Sequence, residues 1–369
     1  MSQKASLFPE LVDKYMPYSG ESKETLNDEK SVPKSYHKQM LVEEYTADLT
    51  WASKSFNNVR VKADIVALDS PLPIKRRPSM GGAVGTIVKS GMKKWLGEKE
   101  ISDIQIMSAR GVDEAEIARK LFSDLIACRD GIDESNEYNF LKALSGGTIL
   151  IPDEENPGVG VRIEFDFPTS NLFGVVKKWS DSTADTISDI ERVVAKIDED
   201  GNSVVKSYIG KSAYQNLRSS YGARRLHASS NNIIVPVVEG VPDYSGVPLP
   251  NRIQFNEEFA AEFGFELEVI DRTVRTEVNG KQVNEKPFDP NAMVFVYDDI
   301  VGRLIYGTLA EETSPVAGVV YNKAGSFTLL SKYSLNDPLR EFSSSQALVL
   351  PILDNVEQRY ILNTETVQA

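Results

Sequence analysis

His37, His227 and Cys128 are the residues of this chain from which a metal centre or a nucleophilic pair would have to be built. Neither histidine has a second His or Cys at ligand spacing, so a zinc site and a Cys–His pair both lack parts. Cys128 lies in an apolar helical run, where a thiol is buried and inert. As the single cysteine it forms no intrachain disulfide and fits a reducing compartment. The stretch GGAVGTIVKSG has the look of a phosphate-binding loop. Such a loop needs Gly directly before its Lys so that backbone N–H groups can wrap the phosphates, and Val88 precedes Lys89. The acids Asp153-Glu154-Glu155, Asp298-Asp299 and Glu311-Glu312 are adjacent in sequence. In a strand such neighbours point to opposite faces, so they read as solvated loop charge rather than chelators. There is no G-x-S-x-G, and no G-x-G-x-x-G following a strand. No catalytic residue, metal ligand or cofactor is therefore predicted. An α+β acid–base enzyme using two distant carboxylates stays open as an alternative.

The bulk numbers point the same way. At 369 residues, 41% hydrophobic and 26% charged, the chain is globular, with room for one large or two ordinary domains. A net charge of −13 argues against a dedicated nucleic-acid binder, which would neutralise phosphates with Lys and Arg. The same acidity suits a container wall to which DNA must not stick. No apolar run is long enough to span a membrane. The first twenty residues do not read as a secretory signal, and no propeptide removal is expected.

The elements follow from periodicity and turn residues. PELVDKYM predicts a short amphipathic helix with Leu11, Tyr15 and Met16 on one side, and SGESKETLNDEKSVPKS an exposed linker. This N-terminal part has too little apolar content to fold alone and reads as an arm lying on something else. Residues 61–70 read as a strand. Glu100–Arg110 reads as a short helix. A long amphipathic helix then starts at Asp113, which offers an N-cap with Glu116 in capping-box position. Ile117, Leu121 and Leu125 form its core stripe, Gly131 interrupts it, and a second piece runs Glu134–Leu144. Thr148–Asp166 reads as two strands around an acidic turn. Thr183–Lys196 reads as a helix with Ile187, Ile190, Val194 and Ile197 inward. Ile233–Val238, all apolar, reads as a buried strand. Asn279-Gly280 marks a two-residue hairpin, because both central residues need positive φ. Ala292–Tyr297 is a core strand, and the chain from Gly302 onward is mostly β.

Between these elements lies a basic ribbon, Pro71–Glu100. Lys75, Arg76, Arg77, Lys89, Lys93, Lys94 and Lys99 stand against Glu98 and Glu100 only, a local +5 in an acidic chain. Met80, Val84, Ile87, Val88, Met92 and Trp95 add more apolar surface than a monomer's loop displays. The ribbon is read as an arm that takes its structure from an adjacent subunit. Its expected inter-subunit contacts are Lys75, Arg76, Arg77, Met80, Lys89, Lys93, Lys94 and Trp95.

The C-terminal segment DPLREFSSSQALVLPILDNVEQRYILNTETV resembles the end of the lambda-type phage major capsid proteins, the capsid protein E family. Asp337, Pro338, Arg340, Glu341, Phe342 and Gln346 match that family's motif in order and spacing. The Asn-Gly hairpin followed by FDPNAMVFV is similar to the family's hairpin, and the order of elements agrees from about residue 60 onward. The resemblance implies an α+β fold, the tailed-phage capsid-shell (HK97-like) fold. It further implies an N-terminal arm (1–60), an extended β loop (61–100) and a long spine helix with the first part of a peripheral domain (101–180). An axial domain (181–306) and the peripheral domain's C-terminal strands (307–369) complete it. The implied function is a structural major capsid protein, not an enzyme, self-assembling into hexamers and pentamers of an icosahedral phage head around double-stranded DNA. The implied partners are copies of itself, with scaffold, portal and decoration proteins as further candidates. DNA would lie only loosely on the inner face, and no membrane is involved. The implied location is the virion, assembled in the host cytoplasm. A nanocompartment shell of the same fold is the alternative.

Overall fold

The computed structural model describes residues 5–17, 33–53, 83–151, 161–181, 183–238, 241–278 and 280–368. The chain divides into two compact units. One comprises 1–51, 84–140 and 303–352, and the other 52–83, 141–302 and 353–369. The expected strand at 61–70 and the expected linker after the first helix lie outside the described residues.

In the first unit a mixed set of distant segments forms one sheet. Its order is Leu41–Tyr45, Gly302–Gly307, Leu339–Leu353, Thr328–Asn336 and Val320–Ala324, with Lys89–Leu96 pairing on Leu339–Leu353. The long helix Glu114–Gly146 supplies Ile117, Leu121, Phe122 and Leu125 to a core shared with Ile101 and Ile104 of helix Glu98–Ala109 and Leu330 of the sheet. Asp113 starts the long helix, its Oδ1 accepting from the Ala115 amide at 3.4 Å. The helix is not broken at Gly131 as the sequence reading expected; it continues for 33 residues. The glycine there answers a packing need. A Cβ at position 131 would collide with Met92 Sδ, so the missing side chain makes room for the strand that lies on the helix.

The first helix, Pro9–Tyr15, packs on this same unit through Val12 and Met16, which are buried. Leu11 and Tyr15 are only partly buried against that core.

In the second unit the sheet order is Glu266–Ile270, Lys206–Gly210, Ala292–Val296, Tyr360–Val367 and Leu172–Val175. The first two strands are parallel, Ala292–Val296 is antiparallel to both of its neighbours, and the last two strands are parallel. Ala292–Val296 is buried along its whole length, as expected of a core strand. Helix Thr186–Glu199 is capped by Asp185, whose side chain accepts from the Ser188 amide. It buries Ile187, Ile190, Val193 and Ile197, with Val194 only partly covered. Helices Lys211–Ser219, Tyr221–Ser230 and Arg252–Phe263 complete the unit. The acidic-turn strands Thr148–Ile151 and Val161–Glu164 pair antiparallel as expected.

One expectation fails here. Ile233–Val238 is not a buried strand: only Val237–Val238 is extended, pairing with Val241–Pro242, and Ile234 is 96% exposed. Apolar composition cannot distinguish a run that faces a core from one that faces outward.

Candidate functional site

The motif Asp337–Gln346 lies at the centre of the first unit's sheet. Thr328–Asn336 and Leu339–Leu353 turn through Asp337-Pro338, with Asn336 opposite Leu339. On the other edge Lys89–Leu96 runs antiparallel, setting Trp95 opposite Phe342, Lys93 opposite Ser344 and Gly91 opposite Gln346. Side chains alternate along these strands, so the motif works on two faces.

On the face toward the long helix, charge is buried. Lys332 and Glu341 both have fully buried side chains, with Nζ and Oε1 3.9 Å apart. Lys332 Nζ donates to Ser343 Oγ at 3.0 Å and to the Leu121 carbonyl at 3.2 Å. Glu341 accepts from Ser6 Oγ and, at 3.0 Å, from the Leu7 amide. Burial pushes Lys332 down to about 8, against the pull of the Glu341 carboxylate. Burial likewise raises Glu341, opposed by Lys332 and by the donors of the N-terminal segment. Beside them Cys128 Sγ lies 3.5 Å from the Ser343 carbonyl, and Ser345 Oγ donates to the Cys128 carbonyl at 2.7 Å. Burial moves the thiol up to about 11, so it stays protonated and unreactive at neutral pH.

On the opposite face the motif carries aromatic rings and cations. Tyr333 stacks on Phe342 at 5.2 Å, and Trp95 meets Phe342 at 6.5 Å. The Arg340 guanidinium sits 4.8 Å from the Trp95 ring and Lys93 Nζ 5.1 Å from Phe342. Trp95 nevertheless keeps 53% of its surface exposed.

Lys75, Arg76, Arg77 and Met80 lie outside the described residues. Lys89 pairs with Glu311 at 3.0 Å and Lys94 approaches Asp124 at 3.9 Å, both partners on the same chain. The ribbon from Lys89 to Leu96 therefore takes its structure from its own sheet, which corrects the expectation that a neighbouring subunit would supply it. Sequence reasoning missed this because strand pairing across 250 residues leaves no local signal. The acids Glu311 and Glu312, read as solvated charge, are instead ion-pair acceptors, Glu312 meeting Lys323 at 2.6 Å.

Both histidines, set aside as lone residues, also have carboxylate partners. His37 Nδ1 lies 2.7 Å from Glu137 Oε2, and that carboxylate also accepts from the Tyr36 and His37 amides. The pair ties the N-terminal end of the short helix Tyr36–Met40 to the long helix. His227 Nδ1 lies 2.7 Å from Glu258 Oε1, which Asn231 also reaches at 2.8 Å. Partners 100 and 31 residues away could not be found by spacing. Among the described residues no group of three or more His, Cys, Asp or Glu is placed to hold a metal ion.

The fold matches a protein described as the capsid protein of a prophage of E. coli CFT073, with a TM-score of 0.56 at 12% identity over 98% of this chain and 99% of that one. A phage-related protein from Bordetella bronchiseptica RB50 aligns over the full length of both chains, at 12% identity and a TM-score of 0.48. An encapsulin from Synechococcus elongatus PCC 7942 aligns over 94% of this chain and 95% of that one, at 10% identity and a TM-score of 0.42. No curated protein sequence matches the chain. The family model described as phage major capsid protein E matches residues 26–355, which include the whole Asp337–Gln346 motif. The chain belongs to the phage major capsid protein E family.

Proposed function

We propose that this protein is the major capsid protein of a tailed phage, assembling as hexamers and pentamers into an icosahedral head around double-stranded DNA. The observation that carries the reading is the family match over residues 26–355. The role is structural and the protein catalyses no reaction. In this reading 1–60 is an arm, 61–100 the extended loop and 101–180 the spine with the first part of the peripheral domain. Residues 181–306 form the axial domain, and 307–369 return to the peripheral one. Copies of the chain are the main partners, with scaffold, portal and decoration proteins acting during assembly in the host cytoplasm. The acidic balance of −13 keeps packaged DNA loosely held at the inner wall.

The exposed side of the Lys89–Leu96 strand offers a contact surface for a neighbouring subunit. Trp95 there is half exposed, with Arg340 stacked against its ring. Each such contact is weak, worth about 1 kcal/mol for an exposed ion pair. Repetition around closed symmetry makes the sum strong while leaving single errors reversible.

Negative-stain microscopy of the protein, alone and co-expressed with candidate scaffolds, tests the reading. Regular shells containing nucleic acid are expected in infected or induced cells. A chain that stays monomeric under all assembly conditions overturns it, and shells filled with an enzyme instead of nucleic acid assign it to a nanocompartment.

A further inference from the structure

Residues 5–17 lie on the first unit without joining its sheet. Helix Pro9–Tyr15 within them has seven residues, well short of the roughly 12–15 that an isolated helix needs to persist in water. The segment is therefore ordered by its seat. Its ties to that seat run to side chains. Ser334 Oγ donates to the Ala5 carbonyl at 2.7 Å, and Glu341 accepts from Ser6 Oγ and, at 3.0 Å, from the Leu7 amide. At the other end Asn322 Nδ2 donates to the Met16 carbonyl at 2.6 Å and the Pro17 carbonyl at 3.3 Å. Between these ends Val12 and Met16 enter the core, Tyr15 meets the Phe122 ring at 6.5 Å, and Lys14 pairs with Glu114 at 2.9 Å in an exposed bridge.

The floor beneath is built differently. Thr328–Asn336 pairs with Val320–Ala324 on one side and with Leu339–Leu353 on the other. Ladders of backbone hydrogen bonds hold these strands, and the segment contributes nothing to them.

Ser6 couples the two. Its Oγ accepts from the Phe8 amide at 3.1 Å and donates to Glu341, so one hydroxyl both turns the chain into the helix and caps the carboxylate. Among the described residues the Glu341 carboxylate has three partners, Ser6 Oγ, the Leu7 amide and Lys332 Nζ. The segment supplies two of them. It also covers Phe122, whose ring lies 5.4 Å from Lys332 Nζ. Lys332 is thus sealed by the side chains on which the segment rests.

We propose that residues 5–17 form a strap that seats on and lifts from the first unit as one piece, sealing the Lys332–Glu341 pair when down and opening it to water when up. Few fully buried side chains hold the strap, which places it at the low end of local opening free energies, while the laddered floor stays folded. Two features recognise the seated form. One carboxylate reads the Ser6 hydroxyl and the Leu7 amide together, and two apolar side chains four residues apart, Val12 and Met16, fill the core below. The device belongs to the single chain and operates with or without assembly.

Lys332 reports the state of the strap. Its side chain is fully buried, so an amine-acylating reagent reaches it only when the strap is up, whereas Lys323, 45% exposed, is open to the reagent throughout. Labelling of the full-length chain under native conditions, read by mass spectrometry, tests the proposal. Ser6→Ala combined with Val12→Ala is expected to raise the labelling rate of Lys332 at least tenfold, with Lys323 and the circular dichroism spectrum unchanged. In the wild type, hydrogen exchange is expected to be at least tenfold faster at the Leu7 and Val12 amides than across the Thr328–Asn336 strand. Strap and strand amides that exchange at one common rate, set by global unfolding, overturn the proposal, as does Lys332 labelling that does not change in a folded double variant. If the double variant does not fold, the wild-type exchange measurement decides by itself.

Discussion

Lys332 and Glu341 bury their side chains completely, 3.9 Å apart, where burial works against the charged form of each and the partner's charge works in its favour. A pair of this kind is weak evidence of stability but strong evidence of mutual dependence. Glu341→Gln leaves the Lys332 ammonium without a countercharge and is expected to destabilise the fold by about 3–5 kcal/mol, measured by denaturant unfolding. Adding Lys332→Met should recover much of that loss; a double variant no better than the single one would contradict the coupling. Cys128 sets a second expectation at this scale. Its folded pKa of about 11 lies above the ordinary value of 9.0. The buried neutral thiol therefore contributes stability that is complete below pH 9 and is lost as pH rises toward 11, because only the unfolded chain ionises in that window. Wild type should fall in unfolding free energy relative to Cys128→Ala between pH 9 and 11, and a constant difference would refute it.

At the scale of elements, the long helix and the strand lying on it are matched at one point. Gly131 on the helix faces Met92 on the strand. Gly131→Leu is expected to cost about 1–3 kcal/mol by overpacking, despite the better helix propensity of Leu. Combined with Met92→Ala the cost should shrink well below the sum of the two single changes, a double-mutant cycle that reads the contact directly. The same position shows what the sequence could and could not reveal. The stripe Ile117, Leu121, Leu125 announced a helix, and the Asn279-Gly280 turn announced a hairpin, because both signals are local. Gly131 has the look of a break in the sequence, since a helical glycine and a helix-ending glycine are alike until the neighbour is known. Ile233–Val238 failed for a related reason: its composition fixed its apolar character but not the side it faces. The partners of His37 and His227, and the strand that receives Lys89–Leu96, depend on contacts 31 to about 250 residues distant, beyond the reach of periodicity. The motif Asp337–Gln346 is legible only through family resemblance, because its buried Glu341 and its half-buried Arg340 are neighbours in sequence that serve opposite faces.

The whole molecule carries a net charge of −13, while the Lys89–Leu96 strand carries three lysines. Two behaviours follow from that distribution. The subunit should not bind a DNA duplex measurably at about 150 mM salt, since too few phosphates can be neutralised to release counterions; a gel shift at micromolar protein would refute this. Assembly should depend on salt where exposed ion pairs contribute and on residue type where rings do. Trp95→Ala is therefore expected to lower particle yield at every ionic strength, whereas Lys93→Glu should act mainly at low salt. Light scattering across a salt series separates the two.

The strand Tyr360–Val367 lies inside the second unit's sheet, between Ala292–Val296 and Leu172–Val175. On a ribosome it emerges after every segment it joins, so that sheet stays open throughout translation of the preceding 359 residues. The first unit is delayed in the same way, since residues 303–352 complete it. Domains normally fold in order of synthesis. Here the topology acts as a timer: a nascent chain has no finished surface to offer a neighbour on the same message. Any association that needs this finished sheet must wait until Tyr360–Val367 has been made.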